Sequence, residues 1–302
     1  MSIKVENLTK LYGEQKAIDG ISFDIPSGQI VGFLGPNGAG KSTTMKILTG
    51  YLNATSGLAS VNGLEVEANG IAVRKQIGYL PENNPQYLDM YVIEYLNFVA
   101  SVYHLKNISK RVATMIEMTG LAPERKKKIG QLSKGYRQRI GLAQAMIHDP
   151  NVLILDEPTS GLDPNQLVDI RKLIVEIGKE KTVILSTHIM QEVQAMCDRA
   201  IIINQGKIVA DDTIGILTSK DKKRLVIEIE FVESVSKEKL LSVEGVMEAT
   251  QTKGNNWKLV TNKNEDMRIR LFDFAKNNNF TLIKIQQQEQ SMEDVFKHLT
   301  SK

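Results

Sequence analysis

The stretch IVGFLGPNGAGKSTTMKILTG, Ile30 to Gly50, decides how the rest of the chain is read. It begins with an apolar run that reads as a buried strand, turns through a glycine-rich segment, and from Ser42 takes up helical spacing. In that helix the threonines and lysine are expected to face away from Met45, Ile47 and Leu48. Strand, glycine loop and helix together are the setting of a phosphate-binding loop, and GPNGAGKS has the full Walker A spacing. In the loop of Gly35, Pro36, Asn37, Gly38, Ala39 and Gly40 the backbone N–H groups, which Pro36 lacks, can turn inward around phosphate oxygens, and the following helix adds its positive end. Lys41 would then neutralise charge on β- and γ-phosphates, and the Ser42 hydroxyl would sit on Mg²⁺. Thr43 is the next available donor, for an α-phosphate.

Further along, VLILDEP ends a second buried strand on two adjacent carboxylates. Asp156 can hold the Mg²⁺ shell, and Glu157 is placed to orient or deprotonate an attacking water. Such a pair after a strand is otherwise a helix cap or a solvated turn; the glycine loop upstream favours the chemical reading. A third strand, TVILSTH, closes on His188, and the helical pattern PNQLVDIRKLIVEIGKE separates it from the second. This alternation implies a parallel sheet with crossover helices. Ligands on such sheets bind at the carboxyl ends of the strands, where all three loops lie. A histidine in that position can hydrogen-bond a γ-phosphate, so His188 joins Lys41 and Glu157 as a catalytic candidate.

LSKGYRQR, Leu132 to Arg139, also looks built to grip a phosphate, although the loop above is already filled by Lys41 and its backbone amides. A second copy of the chain, presenting Ser133 and Gly135 to an exposed γ-phosphate, is one solution. At these residues the sequence resembles the nucleotide-binding subunits of ATP-binding-cassette (ABC) transporters, whose signature LSGGQ stands here as LSKGY. The resemblance covers about the first 215 residues and rests on motifs in family order: Tyr12 ahead of the first turn, the Walker A, the signature, LILDEPTSGLDP and the histidine.

The resemblance implies an α/β P-loop NTPase cassette with a parallel-sheet core, an N-terminal antiparallel β part and a helical subdomain at about 83–150. It also implies ATP and Mg²⁺ as cofactors, with Tyr12 stacked on the adenine. Two cassettes, identical or not, would sandwich two ATP molecules head to tail. Each site would be closed by the other chain's signature, with Asp163 of SGLD crossing the interface, and hydrolysis would power a separate membrane-spanning permease. Two departures stand out: Lys134 and Tyr136 replace a signature glycine and glutamine, and Glu82 stands where the family has a glutamine. The Glu82 carboxylate can take Mg²⁺ or water but cannot donate as an amide does. YLPENNPQYLDMYVIEYL, with the C-terminal SMEDVFKHLTSK, resembles the subfamily that serves exporters with separate membrane subunits, most closely the one associated with bacterial gliding motility. That likeness makes Asn83 to Tyr91 the expected docking surface for the permease. It also places the chain peripherally on the cytoplasmic face of the bacterial inner membrane. The alternative is a soluble ABC-type ATPase acting on ribosomes or DNA; the single Walker A and the lack of a heptad tract count against it.

Length and composition agree with this outline. A chain of 302 residues suggests one large domain with an appendage. Its 38 basic and 35 acidic residues leave a formal charge of +3, which argues against bulk nucleic-acid binding. The single cysteine, Cys197, rules out an internal disulfide, fits a reducing compartment and reads as a helix-packing thiol. No apolar run approaches the roughly 18 residues of a spanning helix, and MSIKVENLTKLYG lacks the apolar centre of a secretory signal. A cytoplasmic chain that reaches a membrane only through a partner is expected. The charged stretch TSKDKKRL, Thr218 to Leu225, reads as a linker dividing a cassette at 1–217 from an accessory domain at 218–302. Beyond it LVIEIEFVE, GVMEATQ, WKLVTN and TLIKIQQ read as strands, with KEKLLS and EDMRIRLFDFAKNNN as helices between them. That order suggests a ferredoxin-like α+β module with Trp257 in its core, suited to sensing a small molecule or steadying a dimer.

Overall fold

The computed structural model describes residues 2–219, 224–262, 266–288 and 292–300. Residues up to Thr213, with those from Leu299 onward, form one compact unit, and Ile214–His298 form a second. The break falls just before the expected linker, whose central residues 220–223 lie outside the described ones.

The first unit runs β1 (Ile3–Tyr12), β2 (Gln15–Ile25), β3 (Ile30–Leu34), α1 (Lys41–Leu48), β4 (Ser56–Val61), β5 (Leu64–Glu65), α2 (Gly70–Gln76), β6 (Ile77–Leu80), α3 (Val92–Val102), α4 (Ile108–Met118), α5 (Lys134–Met146), β7 (Val152–Asp156), α6 (Pro164–Gly178), β8 (Thr182–Thr187), α7 (Met190–Met196), β9 (Arg199–Asn204) and β10 (Lys207–Thr213). An antiparallel sheet has the order β2-β1-β4-β5, and a six-stranded sheet the order β10-β9-β3-β8-β7-β6. In the larger sheet every pairing is parallel except that of β10, which returns antiparallel beside β9.

Strands β3, β7 and β8 are buried along their whole length, as strands covered on both faces must be. Alternate residues feed two cores, because successive side chains leave opposite faces of a strand. Val152, Ile154 and Ile184 pack with Phe33, Met45 and the antiparallel sheet. Leu153, Leu155, Val183 and Leu185 pack instead with Leu96, Met115, Ile140 and Ile174 of the helices. Helix α1 touches both sheets, so that only Ser42, Thr43 and Lys46 keep to a half-buried polar side and Thr44 does not join them. Thr44 is fully buried, and its hydroxyl donates to Gly40 O at 2.9 Å. On the helical side, β6 lies directly on α5: a Cβ on Gly78 would fall 2.1 Å from Ala145 O, a backbone atom that cannot yield.

The chain continues with α8 (Ile214–Ser219), β11 (Arg224–Phe231), α9 (Lys237–Leu241), β12 (Val246–Gln251), β13 (Asn256–Asn262), α10 (Met267–Asn277), β14 (Leu282–Gln288) and α11 (Met292–Thr300). From β11 to β14 the succession is βαββαβ, and the antiparallel sheet has the order β12-β13-β11-β14, the ferredoxin-like arrangement. Ile227, Ile229, Phe231, Trp257, Leu259 and Leu271 form its core. Among the described residues no helix is long and apolar enough to cross a membrane.

Candidate active site

Strand register brings three loops to one edge of the larger sheet. Leu34 of β3 pairs with Thr187 of β8, and Asp156 of β7 pairs with Ser186 of β8. The glycine loop, the two carboxylates and His188 therefore leave the sheet side by side.

The loop itself is bare backbone. Gly40 caps α1 at φ 110°, a left-handed conformation that side chains resist. A Cβ there would lie 2.5 Å from Ala17 O, and one on Gly35 would lie 2.4 Å from Ile203 O. Ala39 N–H donates to Pro36 O at 3.1 Å, and Asn37 and Gly38 form the exposed tip. The cradle accommodates the oxygens of an anion and excludes side chains, which fits the phosphates of ATP. Lys41 is buried and folds back across it: Nζ donates to Gly35 O at 2.7 Å and to Pro36 O at 3.2 Å, and lies 4.0 Å from Glu157 Oε1. Burial lowers the pKa of this ammonium, against the opposing pull of Glu157, Asp156 and Glu82. Thr43 is half-buried in the first turn of α1.

Ser42 Oγ donates to Asp156 Oδ1 at 3.1 Å, and the Ser186 hydroxyl donates to the same oxygen. A hydroxyl and a carboxylate side by side are the hard oxygen donors that Mg²⁺ takes, so this pair fits the ion. Glu82, the third expected ligand, is exposed and makes no hydrogen bond or ion pair with either. Its charge is felt at Lys41 and at Tyr79.

Glu157 is buried at φ 50°, an uncommon backbone angle for a residue with a Cβ, and its N–H donates to Ser186 O at 3.1 Å. His188 Nδ1 lies 3.0 Å from both carboxylate oxygens. Burial raises the pKa of Glu157, while the His188 hydrogen bond and the Lys41 charge pull it down. When Nδ1 carries the proton given to Glu157, the other ring nitrogen of a neutral His188 is a bare acceptor.

The remaining predicted residues lie apart from this cluster. Tyr12, half-exposed at the end of β1, has Lys10 Nζ 5.5 Å from its ring centroid. Ser133 is the N-cap of α5, accepting from Tyr136 N–H at 3.4 Å, and Gly135 is buried beside Gln166. Asp163 caps α6, accepting from the N–H groups of Asn165 and Gln166 at 3.1 and 2.9 Å. No hydrogen bond or ion pair joins Ser133, Gly135 or Asp163 to residues 35–43 within the chain. Two residues that sequence reasoning passed over bind the site together: Ser186, and Gln138, whose Nε2 donates to Pro158 O at 2.9 Å.

A family model described as ABC transporter matches residues 18–160. Bacitracin transport ATP-binding protein BcrA of Bacillus licheniformis is 37% identical over 75% of this chain and 74% of its own length. Linearmycin resistance ATP-binding protein LnrL of Bacillus subtilis strain 168 is 32% identical over 99% of this chain and 98% of its own. A solved ATP-binding subunit of an ABC transporter superposes with a TM-score of 0.67 at 28% identity, covering 74% of this chain and 94% of that one. Kinship of this extent, running nearly end to end in one relative, places the chain in the ABC transporter family as an exporter-type, ATP-hydrolysing subunit that powers a separate membrane-spanning partner.

Proposed function

We propose that Glu157 is the general base of ATP hydrolysis and that His188 and Lys41 hold it in place. The observation that carries this is the carboxylate's position, buried between Nδ1 of His188 at 3.0 Å and Nζ of Lys41 at 4.0 Å, beside the Ser42–Asp156 pair. Bound ATP supplies the γ-phosphoryl group that water accepts, and Mg²⁺ held by Ser42 and Asp156 supplies positive charge to the phosphates. The loop from Gly35 to Gly40 presents to the phosphates those N–H groups it does not use itself, Pro36 having none and Ala39 donating to Pro36 O; Lys41 adds a cation, and Thr43 gives a further hydroxyl. Tyr12, exposed on β1, stacks on the adenine. Replacing Glu157 by Gln keeps the shape and removes the base. ATP stays bound and turnover falls by about 10²- to 10⁴-fold. Unchanged steady-state hydrolysis would sink the assignment.

The site is completed by a second cassette, whose Ser133, Gly135 and Asp163 face the γ-phosphate. Support comes from their placement: Ser133 and Asp163 are exposed N-caps that serve no group of this chain's own phosphate loop. Mixing a Lys41→Ala chain with a Ser133→Arg chain should restore part of the activity that neither has alone. Mixed dimers that form and stay inactive would refute the composite site.

The permease docks at Asn83 to Tyr91. Tyr87, Leu88 and Tyr91 are exposed there, and Phe98 and Val102 of α3 continue the apolar surface. Relatives named for bacitracin transport and linearmycin resistance support export as the task of the complex.

A further inference from the structure

His188 meets Glu157 through Nδ1 at 3.0 Å, yet its side chain is 50% exposed, so packing does not set the direction of the ring. The backbone that carries it is fixed instead from the buried side. Thr187, fully buried at the end of β8, accepts the Ile189 N–H on its hydroxyl at 3.1 Å, which closes a short ring of chain around His188. A hydroxyl that accepts still has a hydrogen to place, and Thr187 Oγ1 gives it to Glu192 Oε2 of α7 at 2.9 Å. Glu192 is itself fully buried. Ser186, one residue earlier, leaves the opposite face of the strand, where it meets Asp156 and the Glu157 N–H. The last two residues of β8 thus hold the two ends of one contact: Ser186 the backbone of Glu157, Thr187 the turn that carries the imidazole.

Glu192 is the third residue of α7, after an N-cap at Ile189. A carboxylate at this position ordinarily takes the N-cap N–H directly. Here the Thr187 hydroxyl stands between them, so the acid anchors the turn that presents His188 as well as the helix end. Burying a carboxylate is costly unless it is well paired. Its other oxygen, Oε1, has no hydrogen-bond partner, and the cation that faces it, Arg171 Nη2 of α6, stands 4.0 Å away with its own Nε unpartnered. A buried charge so incompletely satisfied does little for stability, which leaves the direction of His188 as what it secures.

We propose that Glu192 is a positioning residue for hydrolysis, holding His188 against Glu157 through the Thr187 hydroxyl, with Arg171 as its counter-charge. The inference rests on the reading above that His188 holds the base, and adds what holds His188. Among the described residues the side chains of Thr187, Glu192 and Arg171 make no hydrogen bond or ion pair with residues 35–43. Loss of the relay is therefore read in kcat rather than in KM for ATP.

The test compares full-chain variants by steady-state ATPase, with the denaturant midpoint of each measured alongside. Glu192→Leu, alone or paired with Thr187→Val, should lower kcat by about tenfold to a hundredfold and leave KM for ATP within about twofold. The pair removes both hydrogen-bonding partners together, so neither is left stranded and the fold should keep its stability. Glu192→Gln retains an oxygen for the Thr187 hydroxyl and should bring kcat back to within about threefold of wild type. In a His188→Ala background the same substitutions should change the residual kcat by less than about twofold, since the relay has nothing left to position. Imidazole ¹⁵N spectra give a readout independent of turnover. The His188 resonance, identified among the four histidines by its absence from His188→Ala, should show a protonated Nδ1 in wild type and Glu192→Gln, and lose that single tautomer in Glu192→Leu. A paired variant with wild-type kcat, or losses of equal size with and without His188, would show that Glu192 only packs α7; the inference then falls while His188 keeps its role. If His188→Ala itself turns over like the wild type, the reading that His188 holds the base falls, and the inference with it.

Discussion

Glu157 is held at a backbone angle that costs of order 1 kcal/mol or more, and its carboxylate is buried against one imidazole and one ammonium. Its proton affinity is a balance: burial raises the pKa, and the His188 hydrogen bond and the Lys41 charge lower it. A general base works as the carboxylate, so activity is present above its pKa and lost as pH falls through it. The net shift is upward, which puts the acid limb of kcat/KM above the 4.5 of an ordinary glutamate. Replacing His188 by Ala removes a lowering influence and should move that limb to still higher pH, besides reducing turnover. A limb that stays in place would mean that His188 does not touch Glu157 in the working enzyme. Lys41, Ser42, Asp156, Glu157 and His188 could be picked out from sequence because each sits at a fixed offset from a strand end. Ser186 and Gln138 could not, since their partners Asp156 and Pro158 lie 30 and 20 residues away and meet them only through strand pairing and helix packing.

The start of α5 ties the loop proposed for docking to the loop that carries Glu157. Asn84 Nδ2 and Gln86 Nε2 both donate to Arg137 O, at 3.1 and 2.8 Å, and Gln138 in the same turn holds Pro158 O beside Glu157. Ser133, the residue expected to reach another chain's phosphate, caps that turn. A displacement of the loop by a partner is therefore felt at the signature and behind the base through hydrogen bonds worth about 1 kcal/mol each. Replacing Asn84 and Gln86 together by Ala should leave basal ATPase within about twofold, because neither touches the Lys41–Glu157 cluster, while abolishing stimulation by the permease. Hydrolysis compared with and without the reconstituted partner checks this, and stimulation that survives would show that coupling runs elsewhere. These ties were invisible beforehand, although the elements joining them were not. The helical spacing of α3 to α6 and the alternation of β11 to β14 stand out because apolar periods of 3.6 and 2 are local properties. Short pieces such as β5 and α2 carry too few residues for a period to emerge, and the inward turn of Thr44 follows from a second sheet covering α1.

Each of the two units has its own apolar core: residues from Ile3 to Ile203 build those of the first, and those from Ile227 to Ala275 the core of the second, with none in common. The division announced itself in the sequence as a rise in charge, whereas its position at Ile214 depends on α8 belonging to the second unit. Separate cores favour separate cooperative unfolding, and the chain carries a convenient reporter, since its one tryptophan, Trp257, is buried in the second unit. Tryptophan emission should report that unit alone, and far-ultraviolet circular dichroism should report both. The residues proposed to hold ATP all lie in the first unit, and at a hundredfold excess over its dissociation constant a ligand of the folded state stabilises that unit by about 2.7 kcal/mol. In Glu157→Gln protein, chosen because it should keep its nucleotide, Mg-ATP should therefore raise the denaturant midpoint seen by circular dichroism and leave the tryptophan midpoint where it was. Coincident transitions that move together with ATP would instead show that the accessory unit senses the nucleotide state, making it a regulator rather than an independent appendage.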